Sequence, residues 1–477
     1  MIQLRILAPV VVDYYAVPGA SLRDPQGYAR FWADQQPAVD ELLAERAPDD
    51  VPPDGPRRSP TVVLEHTRPT SSLNLYRVIS DHAVERTMHV LTGTLYPEHL
   101  PGEFVGVTTA PHAGVTEISF RLYDHGLMLL EMLADVDPRP TEDPAGLAGR
   151  LDQLQAAAVA MGERVARETV TRYLDPVLRL LRRADRDGRI LVAATPEEDP
   201  LTAEFGEPLW VTRSLVLDPA QPGADAVTRH WVKDVVLAGD VRSPADRLLA
   251  GDLEHLVRWL NYIFMDRTGA GGRMLPGDPF RDQWDALRYA QVFYGTLDRI
   301  DTRLSKILAD SAAVAASRWE LDQLRGQLLS LSQRAELIIM ERQDLSKYLK
   351  RAVRVEMDAI LEFWDYDGLL AQPVRFKIEI CDRRLAELAA RRTARSGMFT
   401  DLILLGIGVT SILATALAVT EFGRSMANDP DMAAYDLGRS SMVEWVAAQP
   451  ADAILIASGV VSLLLVIMYL FFRRDRA

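Results

Sequence analysis

Short segments rich in apolar residues recur through the N-terminal part of the chain. "MIQLRILAPVVV", "NLYRVI", "ERTMHVLTGTLY", "FVGVTTA" and "EISFRLY" read as strands. In the last of these Ile118, Phe120 and Leu122 alternate with polar residues, and Asp124 to Gly126 predicts a hairpin turn into "LMLLEML". "GYARFWADQQPAVDELLAERA" predicts a helix ahead of the Pro-rich linker "APDDVPPDGPRRSP". A long helical pattern runs from Asp143 to Arg183. Strand character then returns in "RILVAA", "LWVTRSLVLD" and "TRHWVKDVVLA", and a further helix, "DRLLAGDLEHLVRWLNYIFMD", closes the segment. The alternation predicts an α/β layered domain over residues 1–266. The linker expected over 267–279 contains "TGAGGR", which lacks the Lys-Ser/Thr of a phosphate loop.

Beyond the linker the period changes. Leu297, Ile300, Leu304 and Ile307 are spaced three and four apart, and Leu321, Leu324, Leu328, Leu331, Ala335, Ile338, Leu345 and Leu349 keep that spacing. "DYDGLLAQP" breaks the pattern, and Val374, Ile378, Cys381, Leu385 and Leu388 restart it in a phase that carries on to Phe399 and Leu402. A coiled-coil-like helical stalk is therefore expected over 280–401. Two uncharged apolar runs follow, Leu402–Thr420 and Ala453–Phe472. Each is close to the roughly 20 residues that cross a bilayer as a helix. They predict transmembrane helices over 402–422 and 451–472, an extracytoplasmic loop over 423–450 and a tail over 473–477.

The charges flanking these runs set an expected orientation. Arg391, Arg392 and Arg395 precede the first and Arg473, Arg474 and Arg476 follow the second, whereas the intervening loop is acidic. The positive-inside rule then puts both termini in the cytoplasm of a multi-pass protein of the inner (plasma) membrane. The net charge of −14 argues against a phosphate-binding face for nucleic acid. A single cysteine, Cys381, excludes an intramolecular disulfide and a thiolate zinc cluster, and it reads as a buried thiol.

No enzyme motif appears. His82 and His89 are not placed together by their spacing, and H-E-x-x-H, G-x-S-x-G and Walker patterns are absent from the sequence. Asp365 and Asp367, beside Trp364, read as a solvated helix end. In the first apolar run Gly406, Thr410, Ala414 and Ala418 form a small-residue row, and Thr415 and Thr420 add hydroxyls. Such a row serves close helix packing or the lining of a pore.

An α/β domain, amphipathic helices, a stalk that runs into the first of two C-terminal apolar segments, and a short basic tail: this order resembles the CorA family of divalent-cation channels. The resemblance implies a homopentamer with the first span along the axis, and Mg2+ or another divalent cation as the transported ion. It also implies an ion site at a Gly-Met-Asn signature, met here as Gly423, Met426 and Asn428 with other residues inserted between them. Glu421 stands beside this stretch as a carboxylate that would attract cations. The resemblance leaves a second function open. CorA-like proteins with altered signatures are associated with bacterial defence, where a nucleotide or protein trigger would act on the cytoplasmic domain of an effector. The spacing itself also admits a third reading of "GRSMAND", as a loop opened by a helix-ending Gly423.

Overall fold

The computed structural model describes residues 2–12, 14–16, 24–46, 60–64, 89–96, 99, 113–123, 125–136, 144–192, 206–233, 242–267, 279–313, 318–428, 445 and 448–474. They form two compact units, one of 1–310 with 326–381 and one of 311–325 with 382–477.

In the first unit the strands are β1 (Ile2–Val11), β2 (Tyr15–Ala16), β3 (Thr61–Leu64), β4 (His89–Leu95), β5 (Ala113–Tyr123), β6 (Leu127–Val136), β7 (Leu191–Val192), β8 (Thr212–Leu217), β9 (His255–Val257) and β10 (Asn261–Met265). Eight of them make one sheet in the order β3-β4-β5-β6-β1-β8-β10-β9, and β2 pairs with β7. All neighbours in the large sheet are antiparallel except β8 and β10, which are parallel. The alternation that predicts β5 and β6 sets their faces. Ile118, Phe120, Leu122, Met128, Leu130 and Met132 all enter one core, together with Leu4, Ile6, Ala8 and Val10 of β1.

That core is covered by α1 (Pro25–Arg46), α2 (Pro144–Thr169), α3 (Asp175–Ala184), α4 (Ala224–Val232) and α5 (Pro244–Ala250). A π turn, Val170–Leu174, joins α2 to α3 without breaking the rod. Ser243 caps α5, its hydroxyl accepting from the Asp246 N–H at 3.1 Å. The opposite face of the sheet receives α6 (Arg281–Ala313), whose Trp284 ring lies 4.3 Å from that of Phe264 on β10.

Two local expectations are overturned. The first five residues of "TRHWVKDVVLA" are the end of the helix α4, because Ala224, Val227, Thr228 and Trp231 are buried at helical spacing, and Asp234 to Ala238 lie outside the described residues. The closing helix is only α5; Gly251 ends it at φ +89°, and the rest of that segment is the hairpin β9–β10. Strands expected in "NLYRVI" and "FVGVTTA", and both linkers, lie outside the described residues apart from their edges.

The remaining helices are α7 (Arg318–Tyr348), α8 (Arg351–Phe363), a π turn at Asp367–Ala371, α9 (Gln372–Asn428) and α10 (Ala451–Arg474). The separate stalk expected over 280–401 is not what forms. α6 up to Asp310, most of α7, all of α8 and the start of α9 belong to the first compact unit. The physical reason is that α6 turns polar side chains onto the sheet, as described below, so it is a layer of the α/β body.

The membrane reading is also overturned: among the described residues, no helix is long and apolar enough to cross a membrane. Leu402–Thr420 is the C-terminal part of the 57-residue helix α9, whose first half is densely charged. The transmembrane helices at 402–422 and 451–472, the multi-pass inner-membrane localisation and the orientation drawn from the flanking arginines are withdrawn with it.

One close approach in the sheet is testable. Gly93 on β4 is in register with Phe120 on β5, and a Cβ at Gly93 would meet the Phe120 ring at 2.0 Å. Gly93→Ala is expected to lower stability by about 1–3 kcal/mol through overpacking. Chemical denaturation with an unchanged slope would report it.

Candidate functional site

The face of the sheet under α6 carries an ionic cluster that begins in sequence with one acidic residue, Glu131, inside "LMLLEMLADV". Its neighbours in register place Arg5 of β1 and Arg121 of β5 on the same face. Glu131 is 1% exposed and accepts from the Nε of Arg5, from Nη1 of Arg121 at 3.2 Å, and from Arg288 of α6 through Nε at 3.1 Å and Nη2 at 3.0 Å. Arg288 also pairs with Asp285, and the Arg5 guanidinium lies 3.9 Å from the centroid of the Trp284 ring. Burial on its own would raise the Glu131 pKa; Arg288, Arg5 and Arg121 outweigh it and hold the carboxyl down from 4.5 to about 2. Burial pushes Tyr123, next to the cluster, up to about 12 against the pull of Arg121 and Arg288. Glu131 is thus a fixed carboxylate, unsuited to proton transfer near neutral pH.

One helical turn on, Gln291 of α6 accepts from the Trp210 indole N–H at 2.5 Å and donates to the Thr212 hydroxyl at 2.7 Å. Arg299 donates to the Gly126 carbonyl in the β5–β6 turn at 3.1 Å. Trp210, Trp259, Tyr294, Trp364 and Tyr366 then interlock edge to face or tilted, with centroids 5.2–6.3 Å apart, joining the sheet edge to α6 and to the end of α8. Asp365 and Asp367 form the helix end expected of them. The Asp365 carboxylate accepts from the Gly368 N–H at 3.3 Å, and exposed Asp367 pairs with Arg342 at 3.0 Å. Cys381 is the buried thiol that the sequence suggested, its Sγ 3.7 Å from the Leu304 carbonyl; burial pushes its pKa up.

The pore and mouth candidates fall in the second unit. Gly406, Thr410 and Thr415 are exposed on α9, but both hydroxyls turn back to the helix: Thr410 donates to the Gly406 and Ile407 carbonyls at 3.0 and 2.9 Å, and Thr415 to Ser411 at 2.8 Å. Glu421 is exposed, and Thr420 is on the same helix with its side chain outside the described set. Gly423, Met426 and Asn428 do not form a turn. α9 continues through Gly423 and ends at Asn428, so the helix takes in the start of the loop expected over 423–450. Positions three and five residues on from Gly423 fall on different sides of a helix. The three are therefore not brought together as a compact signature. Among the basic candidates Arg391, Arg392 and Arg395 lie on α9 and Arg473 and Arg474 on α10, while Arg476 is outside the described residues. Among the described residues no group of three or more His, Cys, Asp or Glu side chains is placed to hold a metal ion.

What the second unit does display is uncovered apolar surface. On α9 Leu404, Ile407, Leu417, Val419 and Phe422 are exposed, Leu404 by 60%. On α10 Ile456, Val460, Leu463, Leu464 and Ile467 are exposed, Ile456 by 67%. Comparison with protein-family models, with curated proteins and with solved structures found no match to this chain.

Glu131→Gln is expected to cost about 3–5 kcal/mol, because it leaves buried guanidinium charge uncompensated. The pKa of Glu131 is depressed on folding, so its contribution is complete above about 4.5 and is lost as pH falls from there towards about 2. Denaturation of the parent and of Glu131→Gln at pH 7 and pH 3 should therefore show their difference shrinking at the lower pH.

Proposed function

We propose that this chain is a regulated, self-assembling effector. In this reading copies associate through the apolar faces of α9 and α10, and the α/β unit receives the trigger. The observation that carries the proposal is the row of large apolar side chains left uncovered on both helices of the second unit. A face of this kind is costly in water and marks an association surface. A second copy of the same chain is the occupant that fits, because the small residues Gly406, Thr410, Ala414 and Ala418 interleave with the apolar ones on α9 and permit close helix-to-helix approach. Leu402 to Thr420 also carries no charge to give a charged partner a foothold. The first unit adds exposed Leu329, Val355, Leu369 and Phe376 on its own helical elements. A ring such as the CorA-like pentamer closes heterologous contacts of this type without leaving open ends.

The effector reading is favoured over selective magnesium conduction by the helical course of α9 through Gly423, Met426 and Asn428, which separates the residues that would have to converge. Native mass spectrometry of the full chain is expected to show a closed oligomer, and Leu404→Glu with Ile407→Glu is expected to return it to the monomer with the near-UV signature of the α/β unit unchanged. A parent chain that is monomeric at micromolar concentration would overturn the proposal.

A further inference from the structure

A cavity of about 250 Å³ opens at the end of α4, lined by Trp231, Val232, Lys233, Arg258 and Asn261. Among the described residues its lining offers two cations and an amide and no carboxylate. A third cation, Arg213, neighbours Asn261 in the sheet. It is in register with Asn261 across the parallel pair β8–β10, and by the alternation of the strands both lie on the face that carries Leu215 and Ile263. Among the described residues the side chains of Arg213, Lys233, Arg258 and Asn261 make no hydrogen bond or ion pair. Three of their atoms, Arg213 Nε, Arg258 Nε and Asn261 Oδ1, are nonetheless buried. Buried polar atoms left in this state cost free energy that a ligand recovers. Burial also pulls the Arg213 pKa below its ordinary value, the effect expected where a guanidinium lacks a counter-charge.

The backbone of the cavity is held in an unusual state. Lys233 follows the last turn of α4 at φ 47° and ψ 65°, one of two non-glycine residues with positive φ among those described. Its N–H is spent on the Arg229 and His230 carbonyls. Glycine is the ordinary occupant of such a position, and a strained residue kept there points to its side chain. The wall is rigid: Trp231 is fully buried and its indole N–H donates to the Tyr262 carbonyl at 2.7 Å, while the Arg258 N–H donates to the Asn261 carbonyl across the β9–β10 turn at 2.9 Å.

We infer that this cavity is a binding site for a small phosphate-bearing molecule, with Lys233 and Arg258 on the phosphate oxygens and Asn261 fixing the remainder. A guanidinium fork and an ammonium together match a tetrahedral anion with several acceptors better than a single carboxylate, and the size admits a compact ligand of one or two phosphates. The inference rests on the regulated-effector reading only for its purpose, since the site would be the input of the α/β unit.

The test is calorimetric titration of the full chain with pyrophosphate, inorganic phosphate and citrate at matched ionic strength. Saturable binding of pyrophosphate with one site per chain is expected. Arg258→Gln and Lys233→Gly should each weaken it by about tenfold or more. Lys233→Gly relieves the backbone, so its melting temperature should be equal to or above that of the parent, which separates lost binding from lost folding. Absence of pyrophosphate and phosphate binding to the parent overturns the inference, as does unchanged affinity in both variants or binding of citrate alone. Oligomeric state, measured on the same samples, keeps the two readings apart. Binding by a monomeric chain supports the site and removes the assembly, whereas an assembled chain that binds no phosphate overturns the site alone.

Discussion

A carboxylate placed among three guanidiniums governs how the α/β unit is put together. Glu131 sits in the middle of the sheet, and of its three partners only Arg288 comes from outside it. The helix α6 is therefore located against the strands by an ionic contact with little positional freedom, whereas an apolar contact alone would permit sliding by a turn. Gln291 and Arg299 repeat the device along the same helix with neutral and backbone partners. Such a network adds less net stability than its contacts suggest, since each charge has been taken out of water. What it contributes here is register, and the aromatic cluster around Tyr294 packs at the far end of a helix already held in place.

The hairpin β5–β6, the first strand, the helix α1 and the long helical segment after Pro144 were all legible, because each rests on local periodicity over many residues. α4 was not. "TRHWVKDVVLA" mixes β-branched and aromatic residues in a way that suits a strand, and only packing through Val227 and Trp231 shows Thr228–Val232 to be helical. The stretch after α5 failed for the opposite reason: "EHLVRWLNYIFM" is apolar enough for a buried helix or for strands, and Gly251 at its head was the available signal. The stalk was misplaced because spacing of three and four describes any helix with one buried stripe, whether its partner is another helix or a sheet.

The candidate sites show the same division. Gly423, Met426 and Asn428 came from the resemblance and Gly406, Thr410 and Thr415 from the spacing of small and hydroxyl residues, and the structure leaves all of them along one helix. The ionic cluster was missed, yet it had a signal, since Arg5 in "IQLRILAPVV" and Glu131 in "LMLLEMLADV" are charges flanked in sequence by large apolar residues on both sides. Charges in such settings are paired. The cavity beside Lys233 had none, because its residues come from two separated segments and only the fold brings them together.

The π turn between α2 and α3 carries an implication for how this chain tolerates change in length. Leu151, Leu154, Ala158, Met161 and Val165 face the core before it, and Leu174, Val177, Leu178 and Leu181 after it. A regular helix could not keep both sets on one side across that interval, since they stand one residue too far apart; the wider turn absorbs the surplus. A single residue removed within Val170–Leu174 would let the rod revert to α-helix with both faces still aligned. The same deletion a few residues earlier or later would rotate the rest of the helix by about 100° and turn its apolar stripe to water. Length variation in this helical rod is thus confined to one turn, and a sequence one residue shorter at that point would encode the same packing.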